Sequence, residues 1–151
     1  MDQEVRIEHV ESLPLAVVKR RVHQSQLSKV VPECCGIVWN VLKAHGVTGA
    51  GRNVALYLDG QMNIEVGVEI GDSFAGAGEV SRSATPSGTV AIATHLGPYQ
   101  RLHEAHDAIH DWCARHGRAL AGPSWEIYGH WKDEWNRDPS QIRTDIVYLL
   151  K

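Results

Sequence analysis

Two stretches of the chain repeat one another without a gap at an offset of 71 positions, so that His45-Gly46 returns as His116-Gly117, Gly51 as Gly122 and Tyr57 as Tyr128. The same offset pairs Val31 with Leu102, Val38 with Ile109, Val41 with Trp112 and Leu56 with Ile127, so the apolar pattern repeats along with the turns. Such a chain is one structural unit used twice. Copies related in this way pack about a pseudo-twofold axis and leave a shared cleft. One aligned pair breaks the likeness, since Ala55 in the first copy stands against Glu126 in the second. A symmetric cavity with one acid on one wall points to a binding site.

Each copy reads as strand, helix, strand, strand. β-Branched residues cluster in 5–10 and 15–22, which reads as two strands with Pro14 in the turn between them. Leu27, Val31, Cys34, Cys35, Val38, Val41, Leu42 and His45 fall on one helical face, Gly46 supplies the left-handed stop, and Pro32 either starts this helix or splits off a preliminary turn. Strands at 53–58 and 62–70 follow, joined across Asp59-Gly60. Residues 71–88, rich in glycine and serine, link the copies, with 79–83 expected to pair as an edge strand. The second copy opens with strand 89–95. Pro98 then suits the first position of a helix running to about Arg115, with Leu102, Ala105, Ile109, Trp112 and Cys113 on its buried face. Strands 125–131 and 144–150 close the chain. The result is a single α+β domain over 1–151: copy one about 1–72, a linker and edge segment about 73–88, and copy two about 89–151. Its sheets are antiparallel, with one long helix per copy.

A chain of 151 residues can bury a core without staples. Its net charge of −3 and scattered basic residues give no footprint for direct nucleic-acid binding. Three cysteines, two of them adjacent in a predicted helix, suit a reduced, cytoplasmic protein rather than a disulfide framework, and no apolar run is long enough for a membrane. No cofactor is called for. His103, His106 and His110 have helical spacing that would let two share a metal, but no partner ligands are fixed opposite them, so no metal site is assigned and a polar helix flank is the reading. His45 and His116 read as last-turn residues at helix C-termini, and the cysteines as core.

The second half carries an ordered series of motifs: Pro86-Ser87-Gly88 before a strand, His95-Leu96-Gly97-Pro98-Tyr99 into a helix, Gly122-Pro123-Ser124-Trp125-Glu126-Ile127-Tyr128, Asp138-Pro139, and Thr144-Asp145-Ile146. Gly78-Glu79-Val80 and Tyr57-Leu58-Asp59 fit the same pattern. Over nearly its whole length the chain resembles the GyrI-like small-molecule-binding domain, the effector-binding module also found fused to AraC-type and MerR-type regulators. The resemblance implies a duplicated βαββ (SHS2-like) fold and a central aromatic-lined groove for bulky, hydrophobic, often cationic compounds. It also implies that the acid of the Trp-Glu-x-Tyr segment, here Glu126, reaches into that groove. Some stand-alone members are similar enough to suggest hydrolytic opening of cyclopropane-bearing genotoxins. Asp145 departs from the Glu common in the family and shortens a second acid by a methylene.

Strand alternation sets Trp125, Ile127, Gly129 and Trp131 on one face, expected to meet the helix layer, and Glu126, Tyr128 and His130 on the other, expected to face the groove. The repeat sets Tyr57 opposite Tyr128. Tyrosine and tryptophan offer flat surfaces that stack on aromatic ligands and hold cations at roughly 0.5–2 kcal/mol per contact. A carboxylate among such rings either accepts a cation or serves proton transfer. Trp39, on the flank of its helix, is either an aromatic wall or ordinary flank packing. Trp135, in the long polar loop, is either a lid over the ligand or a staple for the loop.

Three functions follow from this reading. One is a binding module that senses or sequesters multidrug-type aromatic cations through Glu126, Tyr57, Tyr128, Trp39, Trp135 and His130. The second is a hydrolase with Glu126 as acid/base and Tyr128 orienting the substrate. The third is a protein-binding gyrase modulator. Exposed strand edges at the copy boundary allow a homodimer.

Overall fold

Leu15, Ala16, Val17 and Val18 expose no surface at all. A run of this kind belongs to a strand paired on both edges and covered on its faces. It forms the centre of β2 (Pro14–Arg21), which pairs antiparallel with β4 (Asn63–Glu69) on one side and β6 (Val80–Ala84) on the other. These strands belong to one of two units into which the chain divides: residues 12–86 form one, and residues 1–11 with 87–151 form the other. The computed structural model describes residues 4–59, 62–71 and 74–151.

In the unit of residues 12–86, β3 (Asn53–Tyr57) lies beside β4 and the short β5 (Gly76–Ala77) beside β6. The strand order is β3-β4-β2-β6-β5. Helix α1 (Leu27–Ala44) packs on β4 and β2 and buries Cys34, Val38 and Leu42, spaced four apart on its inner face. A 3₁₀ turn over Gln24–Gln26 precedes α1, so Pro32 neither starts the helix nor splits it but lies within it. Near the N-terminus the missing N–H removes a single bond, which the packing of the inner face outweighs. Met62, expected to open a strand, has φ of +64°, and β4 begins one residue later. Of the expected Asp59-Gly60 turn, Gly60 lies outside the described residues. The Asp59 carboxylate accepts from the Asn63 amide at 3.0 Å. At Gly67 a Cβ would sit 1.7 Å from the Ala16 carbonyl oxygen, so only glycine fits where β4 crosses β2.

In the other unit, β1 (Val5–Val10) pairs with β7 (Gly88–Leu96), β7 with β9 (Arg143–Leu150) and β9 with β8 (Leu120–Tyr128), all antiparallel, in the order β1-β7-β9-β8. Helix α2 (Leu102–Arg115) lays Ala105, Ile109 and Cys113 on Ala91, Ala93, Ile146 and Leu150. The alanines beneath it let helix and sheet come close. Each unit thus contains the expected strand-helix-strand-strand sequence, but the flanking strands are assigned differently from the linear division. β1 joins the later copy through its register with β7, from Val5 opposite Ala93 to Val10 opposite Gly88. The segment after residue 73 joins the earlier copy through β5 and β6. Pairing partners so distant in sequence leave no local pattern.

Three smaller corrections follow. Pro14 heads β2 instead of lying in a turn, a place where its missing N–H leaves no ladder bond unmade. Pro98 is extended (φ −63°, ψ 151°) and precedes a 3₁₀ turn over Tyr99–Arg101, so α2 proper begins at Leu102. β8 starts five residues earlier than expected and stops at Tyr128, because the register shift between Leu120 and Ser124 absorbs Gly122 and Pro123 inside the strand. The repeated His-Gly pairs end both helices identically. Gly46 and Gly117 have φ of +66° and +64°, and the next amide bonds back to the carbonyl five residues earlier, Val47 to Leu42 and Arg118 to Cys113.

Candidate functional site

Glu126 lies opposite Ile146 and Ser124 opposite Tyr148 across β8 and β9. Ile146 belongs to the core beneath α2, so alternation turns Ser124, Glu126 and Tyr128 toward the helix and Trp125 and Ile127 away from it. This reverses the expected orientation. Trp125 and Ile127, 2% and 8% exposed, share the other face with Val147 and Asp145 in register. The helix accepts an acid beneath it because α2 presents a small Ala105 followed by a polar His106 at this point.

The carboxylate of Glu126 is 7% exposed. A charge so desolvated must be compensated by hydrogen bonds, and both oxygens have partners. The Tyr128 hydroxyl donates to Oε1 at 2.5 Å, and His106 Nε2 lies 2.6 Å from Oε2. On the other side of the imidazole, Nδ1 is 2.7 Å from the Tyr148 hydroxyl, which is also 3.2 Å from His110 Nε2. An ionised carboxylate can only accept, so His106 donates from Nε2. With that imidazole neutral, its Nδ1 accepts from Tyr148. The result is a hydrogen-bonded chain, Tyr128–Glu126–His106–Tyr148–His110, running from a buried acid to an exposed histidine. Tyr148 stands edge-on to both imidazoles, at centroid distances of 5.6 Å to His106 and 4.9 Å to His110. Tyr99 stands edge-on to Tyr128 at 5.7 Å. Burial, aided by the Glu126 charge and opposed by a hydrogen bond with Ser124, pushes the Tyr148 hydroxyl up to about 12. It therefore remains a neutral donor and acceptor.

The chemistry available here is that of one desolvated carboxylate beside aromatic rings, with a path for protons to the surface. Among the described residues no three histidine, cysteine, aspartate or glutamate side chains converge on a metal position.

Of the residues expected to form the site, Glu126 and Tyr128 come together. His130 is exposed, two residues beyond the end of β8, because the strand ends at Tyr128. Trp135, on the short helix α3 (Glu134–Arg137), is 5% exposed and packs edge-on against Trp131 and over Gly129, where a Cβ would lie 3.1 Å from its ring. In this position it staples the loop. Trp39 and Tyr57 belong to the unit of residues 12–86. Trp39 is 40% exposed on α1 and donates its indole N–H to Asn53 Oδ1 at 2.9 Å, while Tyr57 is half-buried at the end of β3. Asp145 faces away from Glu126, with Ile127, and accepts from Thr94 at 2.8 Å. His106, His110, Tyr148 and Tyr99 were not expected in the site. The spacing of His106 and His110 was visible in the sequence; that the face carrying Glu126 turns toward that helix was not.

In comparison with solved structures, the chain is similar to the C-terminal domain of EcmrR at 21% identity and TM-score 0.80, covering 100% of this chain and 99% of that one. It is similar to SAV2435 bound to tetraphenylphosphonium at 15% identity and TM-score 0.64, over 98% and 94% of the two chains. A hydrolase from Listeria innocua follows at 11% identity and TM-score 0.62, over 99% and 93%. At these identities the likeness is one of fold. No curated protein sequence matches the chain. The profile of the GyrI-like small molecule binding domain matches residues 3–151, and the chain belongs to that family.

Proposed function

We propose that this small-molecule-binding domain takes up hydrophobic aromatic cations at the Glu126 cluster. The observation that carries the reading is a carboxylate withdrawn from water between the Tyr128 hydroxyl and His106, with the Tyr99 ring against Tyr128. In such surroundings a negative charge acts through a low dielectric, and ring faces add cation–π attraction. A similar fold bound to tetraphenylphosphonium supports the choice of cation. In a calorimetric titration with tetraphenylphosphonium, Glu126→Gln weakens binding by about 1–3 kcal/mol and leaves an uncharged aromatic analogue unaffected. Equal loss for both would remove the charge from the explanation.

A second reading, hydrolytic opening of cyclopropane-bearing genotoxins, is favoured by the desolvated Glu126 carboxylate, which can accept an attacking water's proton while Tyr128 and His106 hold it in place. A fold relative described as a hydrolase supports it. It requires a water adduct formed catalytically from a cyclopropane-containing alkylator, seen by mass analysis with wild type and lost in Glu126→Ala. Binding without turnover leaves the first reading alone.

A further inference from the structure

The acid that would attract a cation is already in contact with a group that can become one. His106 Nε2 is 2.6 Å from Glu126 Oε2, and its side chain is 23% exposed against 7% for the acid. We propose that His106 is the specificity-determining residue of this site: neutral, it leaves the pair with one net negative charge that selects cations, and protonated, it closes an internal ion pair that rejects them. The inference rests on the reading of Glu126 as the cation partner.

The geometry allows the change without moving a heavy atom. His106 Nδ1 faces the Tyr148 hydroxyl at 2.7 Å, and a hydroxyl serves equally as donor or acceptor. The proton has a balanced route. His110, protonated from solvent, gives its Nε2 proton to the Tyr148 oxygen, and Tyr148 gives its own hydroxyl proton to His106 Nδ1. His110 ends neutral, Tyr148 keeps one proton, and His106 carries the charge. Titratable groups near this side include His103, Glu104 (ion-paired with Arg101) and Asp107 on α2, Tyr128 on β8, Tyr99 before the helix and His95 on β7, while β1 contributes the apolar Val5. His95 is held by the Pro98 carbonyl at 3.2 Å, and His103 lies 3.3 Å from that of Gln100. His106 touches both the acid, at 2.6 Å, and the Tyr148 hydroxyl, at 2.7 Å.

Tetraphenylphosphonium has no proton to lose, so any pH dependence of its binding belongs to the protein. Between about pH 8 and about pH 5.5, across the range in which histidine takes up a proton, its Kd rises on the order of tenfold in wild type. Over the same range Kd is flat in His106→Gln, whose amide still donates to Glu126, and His103→Gln keeps the wild-type slope. By reciprocity the wild type releases protons on binding within that range, read by calorimetry in buffers of different ionisation enthalpy, a measurement that needs no variant. A slope that survives in His106→Gln or vanishes in His103→Gln, or binding without proton release, overturns the inference. If Glu126→Gln still weakens binding near pH 8 while wild type shows no slope, the inference alone fails. If tetraphenylphosphonium binds at no pH, or Glu126→Gln has no effect, the reading beneath it fails as well.

Discussion

Tyr148 shows how one buried side chain links stability to the site. Its hydroxyl joins His106 and His110, and burial holds it at about 12 against an ordinary value of 10.0. Below pH 10 folded and unfolded chains both keep this proton, and its contribution is complete. As pH rises from 10 toward 12 the unfolded chain releases the proton while the folded chain retains it, so stability falls across that window. Urea unfolding followed from about pH 9 to about pH 11.5 therefore declines more steeply in wild type than in Tyr148→Phe. Identical slopes would mean that the hydroxyl is not desolvated as described. Cys35, also raised by burial, to about 11, declines in both proteins and cancels in the comparison. At this scale Glu126 and Tyr128 were legible because their motif is local. His106 and Tyr148 were not, because their meaning depends on which face of β8 meets α2.

At the scale of elements, Gly67 gives the sharpest prediction. A Cβ there would lie 1.7 Å from the Ala16 carbonyl oxygen and 2.9 Å from the Val17 Cα, and backbone cannot swing aside as a side chain can. Gly67→Ala therefore forces β4 from β2 and costs about 3 kcal/mol or more in chemical denaturation. A loss below about 1 kcal/mol would show that the strands can part there. Both helices could be read in the sequence, since Cys34, Val38 and Leu42 in one and Ala105, Ile109 and Cys113 in the other keep a four-residue spacing and a glycine ends each. β8 was misjudged at both ends. Gly122 and Pro123, outside the expected strand 125–131, sit at an irregularity within β8, and Trp131 reads as a strand residue although its apolar surface serves the loop around Trp135. The helix-facing side was inverted for a physical reason: the aliphatic face of an amphipathic strand ordinarily meets its helix, but here Trp125 and Ile127 are buried on the opposite face and the helix covers an acid.

On the scale of the whole molecule, the chain divides into two units, each containing a strand, helix, strand, strand succession, and the family followed from the ordered motifs. What the sequence recurrence could not reveal is the exchange of flanking strands, with β1 completing the sheet that carries Glu126. The hydrogen-bonded cluster is nonetheless assembled within one unit, from α2, β8 and β9, which ties ligand recognition to a helix packed on small alanines. The most direct test of this account is a crystal structure of the protein with tetraphenylphosphonium. The account predicts the phosphonium centre within about 6 Å of an aromatic ring of the cluster and beside the Glu126 carboxylate. A ligand bound elsewhere, with Glu126 still enclosed by His106 and Tyr128, would contradict it.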